Sequence, residues 1–336
     1  MKFVRLNRLC IVTVTGADAA KIANNLCTAN VIRLETGEGC EAFVTEVRGK
    51  MLGHVCLYRT ESGLLLVGAA RDGEPTDTSA IAVEATPGQA EAIVSHFDRY
   101  TLREKSIPEN KSGEYVGFVV DQELAGKLHS EFPLLLKTLR DGNLAHRALS
   151  ISPDTSTTKP ADFCIVPWWS EGAGLLLVKQ EDSSSWHEVL CNLGGVEAGV
   201  EEFHQRRIQA AFPWYGMDLD ATHLPQEADR DQLAISFTKG CYLGQETVAR
   251  LDALGQVQKK LVRWNLSCSE EPPLGTELRD GDRVVGKLTS ICAGDSPQSF
   301  LAIGFARRSH FNPGLTATGM TPGGQLIQAV VASPTT

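Results

Sequence analysis

Short apolar runs separated by small polar or glycine-containing connectors dominate the N-terminal part of the chain. Leu9 to Val14 is one such run, and the Thr15-Gly16-Ala17-Asp18 stretch behind it carries the residues that open a helix. The pattern predicts that helix from about Asp18 to Leu26. Met51 to Tyr58 and Gly63 to Ala69 are two further runs flanking Arg59-Thr-Glu-Ser-Gly63, a connector short enough for a hairpin. Pro87-Gly88 introduces a helix with Ile93, Val94 and Phe97 on its apolar side. The small polar stretch from Asp154 to Pro160 reads as a loop between strands. Gly172 to Lys179 is strand-like; helices follow from near Ser185 and from about Glu197 to Ala211. Past Gly255 the rhythm changes to Lys260–Leu266, Arg283–Cys292 and Phe300–Ala306 with turns between, which predicts a small all-β barrel or sandwich.

At 336 residues the chain exceeds one ordinary core, and 42% hydrophobic with 22% charged residues argues for folding throughout, except around Ser333 to Thr336. A formal charge of −9 speaks against a broad grip on nucleic acid, which needs clustered cations. No stretch reaches the ~18 apolar residues of a membrane span, and Met1-Lys-Phe-Val-Arg-Leu-Asn-Arg lacks the apolar core of a secretory signal, so a cytoplasmic protein is expected. The nine cysteines contain no CxxC pair, which points to reduced thiols and away from a disulfide framework or a structural zinc site.

The chemistry gathers between Glu197 and Lys260. Val196, Val200, Phe203 and Arg207 fall at helical spacing, which turns Arg207 toward the apolar side. A buried guanidinium requires an anion or several acceptors, so Arg207 either pairs with an internal carboxylate or takes part in ligand binding. Farther on, Gly240 and Gly244 bracket Cys241, and a helix is expected from Gln245 with Glu246 in its first turn. Lys239 and the nearby helix start would both stabilise a thiolate, the one such setting among the cysteines; the alternative is a small buried residue in a turn.

Lys239-Gly-Cys-Tyr-Leu-Gly-Gln-Glu246, followed by Val248-Ala249-Arg250, resembles the K-G-C-[YF]-x-G-Q-E signature of the YgfZ family, the branch of the aminomethyltransferase (T-protein) superfamily that does not cleave glycine. Gly16-Ala17-Asp18-Ala19, Arg207-Ile208-Gln209 before Pro213, Pro225-x-Glu227 and Val285-Gly286-Lys-Leu-Thr289-Ser290 fall in family order. The resemblance implies an α+β, three-domain aminomethyltransferase-like fold with mostly antiparallel sheets: a discontinuous folate-binding first domain (1–50 and 140–255), an inserted α+β domain (51–139) and a C-terminal β-barrel (256–336). It further implies a tetrahydrofolate, or one-carbon derivative, held by Arg207, Gln209, Lys239, Tyr242, Gln245 and Glu246, with Cys241 as the functional thiol.

The pair of aspartates that the glycine-cleaving enzymes carry is replaced here by Gly53 and His54. A histidine cannot supply their fixed negative charge, which disfavours aminomethyl transfer, and His54 reads first as a structural strand residue. Gln209 stands where the related pattern often has Glu. The leading expectation is a folate-binding accessory factor for iron-sulfur cluster assembly or repair, with iron-sulfur proteins or cluster-assembly factors as partners. A folate-dependent one-carbon transferase lacking a recognised general base is the second, and a folate sensor that only docks to partners is the third.

Overall fold

The computed structural model describes residues 1–70, 88–132, 144–151, 159–169, 172–255 and 257–333. The N-terminal stretch forms β1 (Lys2–Leu6), β2 (Leu9–Thr15), α1 (Ala19–Leu26), β3 (Glu38–Thr45), β4 (Met51–Arg59) and β5 (Gly63–Ala69). Next come α2 (Gln89–Tyr100), β6 (Ile107–Asn110), β7 (Tyr115–Val120), α3 (Gln122–Glu131), β8 (Leu144–Ile151), β9 (Lys159–Ile165) and β10 (Gly174–Lys179). Pro87 and residues 154–158 of the expected loop lie outside the described residues, as do 334–336.

Beyond β10 run α4 (Ser183–Asn192), β11 (Val196–Ala198), α5 (Val200–Gln209), the single-turn α6 (Asp231–Ala234) and α7 (Gln245–Leu254). The C-terminal part supplies β12 (Lys259–Ser267), β13 (Glu277–Asp280), β14 (Arg283–Ala293), β15 (Ser299–Arg307), β16 (Thr316–Met320) and β17 (Leu326–Val331). The fold is α+β and mostly antiparallel, as expected.

Among the described residues the first eleven strands form one sheet in the order β11-β1-β7-β10-β9-β8-β3-β4-β5-β2-β6, in which only β11 and β1 run parallel. Met51–Arg59 and Gly63–Ala69 pair as the predicted hairpin, and Met51–Arg59 also pairs with β3, across the 50/51 position used above to divide the chain. One end of the sheet is covered by α1 and α2 through Ile22, Leu26, Ile93 and Phe97. On the opposite face an aromatic group, Trp168, Phe203, Phe212 and Trp214, packs against Tyr58 and Leu175. The six C-terminal strands close into a barrel, β12-β15-β14-β13-β16-β17, with Trp264 and Leu288 fully buried inside. A further apolar cluster, with Phe43, Met51, Ile208, Tyr242, Val248, Leu261 and Ile303, joins barrel and sheet.

β3 escaped the periodicity reading for a physical reason. Every residue from Glu38 to Thr45 is buried, so the strand is covered on both faces and shows no apolar-polar alternation, and it carries Glu38 and Glu41 inside. The stripe drawn through Val196, Val200, Phe203 and Arg207 holds only in part. Val196 belongs to β11 and is exposed, Val200 is exposed at the helix start, and Phe203, Arg207 and Ile208 form the buried side of α5.

Candidate functional site

The loop between α6 and α7 is fixed at both ends and open in the middle. At its start Lys239 turns inward, and its Nζ donates to the carbonyls of Asn24 (2.6 Å), Cys27 (2.9 Å) and Ala29 (2.6 Å). These carbonyls lie at and just past the C-terminal end of α1, where the macrodipole favours a cation and carbonyls lack helical partners. Three acceptors exhaust the three donors of the ammonium. Burial pulls Lys239 below its ordinary value, and its charge acts on the buried thiols of Cys27 and Cys40. The expectation that Lys239 stabilises a thiolate at Cys241 is therefore corrected: the side chain is committed to the end of α1.

At the far end the left-handed Gly244 (φ 83°) sits against the β3–β4 turn. A Cβ there would lie 2.5 Å from the Glu46 carbonyl oxygen and 2.7 Å from the Cα of Gly49, so only glycine allows the approach. Thr45 Oγ1 donates to the Leu243 carbonyl (2.7 Å), and the Leu243 amide donates to the Asn25 carbonyl (2.8 Å). Tyr242 is buried in the junction cluster; its amide donates to Gln245 Oε1 (3.2 Å) at the start of α7. Between these anchors Gly240 and Cys241 are exposed, as is Glu246 on α7. Seven of the nine cysteines are buried, and only Cys191 and Cys241 are exposed.

Arg207 takes the first of its two alternatives. It is fully buried, and Nη1 donates to Asp218 Oδ2 (2.8 Å) and the Phe212 carbonyl (3.3 Å), Nη2 to Ser290 Oγ on β14 (2.7 Å), and Nε to His204 Nδ1 (2.9 Å). Burial, with the neighbouring Arg207 cation, pushes His204 down to about 4, so its ring is neutral at pH 7 and can accept. Asp218 is completed by Thr289, Ser290 and the Trp214 amide. The guanidinium thus ties α5 to the barrel, and its neighbour Gln209 is half-buried at the end of the same helix.

A second buried charged group went unforeseen. Glu41 on β3 accepts from His54 Nε2 (2.7 Å) and, on both oxygens, from Arg230. Burial alone would raise this carboxyl; the Arg230 cation and the His54 hydrogen bond outweigh it and hold the group at about 2. The His54 ring lies between Phe43 (4.7 Å, 24°) and Phe212 (5.1 Å, 19°), and Arg230 stands 5.0 Å above Phe212. Phe43 and Tyr242 share the junction cluster, which links this group to the Cys241 loop. The available signal was a lone Glu inside the run Gly39-Cys-Glu-Ala-Phe-Val44, where any buried strand would demand a cation for it. Nothing near Arg230 in sequence marks it as that cation.

The chain is similar to known proteins over most of its length. No protein-family profile matches the chain. It is 24% identical over 303 residues to the tRNA-modifying protein YgfZ of Sodalis glossinidius, covering 87% of this chain and 81% of that protein. An aminomethyltransferase of Streptomyces avermitilis is 22% identical over 323 residues, covering 94% and 80%. The glycine cleavage system aminomethyltransferase T of Bartonella henselae superposes with a TM-score of 0.76 at 14% identity, over 99% of this chain and 85% of that one. The chain is YgfZ-like over most of its length and has the fold of the aminomethyltransferases. Within that fold, the loop Lys239–Glu246 presents one thiol at the surface, while the two expected cations, Arg207 and Lys239, are engaged inside. Among the described residues no helix is long and apolar enough to cross a membrane.

Proposed function

We propose that this YgfZ-like protein is a folate-binding accessory factor for iron-sulfur cluster assembly or repair, in which Cys241 is the acting thiol and no aminomethyl group is transferred. The observation that carries the reading is the presentation of Cys241: an exposed thiol on a loop pinned by Lys239 on one side and by the Gly244–Gly49 contact on the other. A rigid mount with an open thiol suits brief covalent or ligand contact with a partner. It does not suit a resident cluster, which generally takes four protein ligands. The relatives named as tRNA-modifying make iron-sulfur enzymes acting on tRNA the first clients to examine.

The residues expected to hold a folate fit it in part. When bound, a reduced folate supplies a nitrogen pair that carries or accepts a one-carbon unit. Its pterin edge offers amino and N–H donors, which suit an accessible carboxylate or amide such as Glu246, Gln245 or Gln209. Its anionic tail calls for cations, and Arg207 and Lys239 have their donors occupied by Asp218, Ser290 and main-chain carbonyls. The pterin end therefore carries the affinity. In calorimetric titrations tetrahydrofolate and a tailless tetrahydropterin should bind within about tenfold of each other, a difference of about 1.4 kcal/mol. Absence of binding at millimolar tetrahydrofolate would remove folate from the account.

A one-carbon transferase would need a general base. Glu41, the carboxylate beside His54, is held at about 2 by Arg230 and His54 and has no basicity to offer near neutrality. Steady turnover of tetrahydrofolate with a methylated amine would revive that second reading.

A further inference from the structure

Away from the Cys241 loop, the other exposed cysteine has company. On α4, His187 and Cys191 are four residues apart and share one helix face, while Trp186 and Leu190 fill the core beneath. Cys191 Sγ lies 3.8 Å from His187 Nδ1 and 4.0 Å from Nε2. His187 Nε2 is 2.9 Å from Glu197 Oε2 on β11, where Glu197 pairs in register with Phe3, and the Phe3 ring meets the imidazole edge-on at 5.4 Å. The carboxylate accepts a hydrogen bond from Nε2–H, which fixes the tautomer in which Nδ1, 3.8 Å from the sulfur, is the unprotonated nitrogen. The main chain around the thiol is also fixed: the Gly194 amide donates to the Cys191 carbonyl (2.8 Å) and Gly195 to the Leu190 carbonyl (2.9 Å).

We infer that Cys191, His187 and Glu197 form a surface thiol-disulfide exchange site, independent of Cys241, at which Cys191 takes up small disulfides as a mixed disulfide. In the step His187 Nδ1 accepts the thiol proton as Cys191 sulfur attacks one sulfur of the disulfide. A new S–S bond forms, the old one breaks, and the released thiolate takes the proton from His187. The Cys191 sulfur is oxidised and the departing thiol is reduced, so the balance closes with no further reactant.

Cys191 stands in the last turn of α4, where the negative end of the macrodipole opposes a thiolate. The imidazole is therefore the group on which attack depends. Cys241, just ahead of α7, has no histidine contact among the described residues and serves as an internal reference. The side chains of His187 and Glu197 are 34% and 43% exposed, which leaves room for a small disulfide and limits the electrostatic gain.

The test treats the whole protein with 2-hydroxyethyl disulfide, a neutral probe, quenches with acid, and follows adducts at Cys191 and Cys241 by peptide mass spectrometry. The rate at Cys191 relative to Cys241 should fall roughly tenfold in His187→Gln, less than a buried general base would give because the pair is half exposed. Glu197→Ala should lower the same ratio, and Glu197→Gln, which keeps an acceptor for the ring, should restore most of it. Because both rates come from one molecule, a change in folding cannot imitate the result. An unchanged ratio in His187→Gln, or no adduct at Cys191 in the wild type, would overturn the proposal.

Discussion

Arg207 shows how much of a fold one internally paired side chain can hold. Removing it leaves Asp218 charged and fully buried, with hydroxyl and amide donors but no cation. Arg207→Ala should cost about 3–5 kcal/mol in urea unfolding, and any weakening of ligand binding should follow the unfolded fraction. Glu41 gives a prediction with a sign. Its folded pKa of about 2 lies below the ordinary 4.5, so its contribution is present above about pH 4.5 and is lost as the pH falls toward 2. Glu41→Gln should be less stable than wild type at pH 7, by on the order of 3 kcal/mol, and the gap should fall by more than half by pH 3 and close toward pH 2. A gap of equal size at both pH values would mean that packing, and not charge, holds Arg230 and His54.

Among the elements, the loop Lys239–Glu246 is where sequence and structure meet most closely. Its glycines, the helix from Gln245 and the exposed Glu246 were legible from turn and dipole chemistry. The partner of Lys239 was not, because it lies more than two hundred positions away at the end of α1. Gly244→Ala should destabilise the protein by about 2 kcal/mol, since its Cβ meets main-chain atoms on β3–β4 and its φ is left-handed. Hydrogen exchange should then quicken across residues 236–246 while the barrel strands keep their protection. Equal quickening throughout would show that the contact supports the whole fold. The same locality explains why β4, β5 and α1 were readable while β3 was not: β4 and β5, covered on both faces, read as continuous apolar runs, and in β3 the buried Glu38 and Glu41 break such a run.

In the whole molecule, the β4–β5 hairpin and the strand-rich C-terminal part follow from patterns that short segments carry by themselves, whereas the α+β class, the antiparallel sheet and the choice of a barrel came with the family resemblance. Long-range charge pairing came with neither. Glu41 meets Arg230 from 189 positions away, and Arg207, paired with Asp218, also reaches Ser290 on the barrel, 83 positions away. Arg207 and Asp218 tie α5 to the barrel through Ser290 and Thr289, Glu41 and Arg230 tie β3 to the segment ahead of α6, and the Cys241 loop is mounted on that frame. The frame and the thiol therefore separate experimentally. Exposed on a loop and bearing no core contact, Cys241 should tolerate serine within about 0.5 kcal/mol of stability.

The most direct measurement is the activity of an iron-sulfur enzyme in cells lacking this gene, complemented with wild type, Cys241→Ser or Cys191→Ser at matched protein levels. The account predicts that wild type and Cys191→Ser restore activity and Cys241→Ser does not. Full restoration by Cys241→Ser would contradict it.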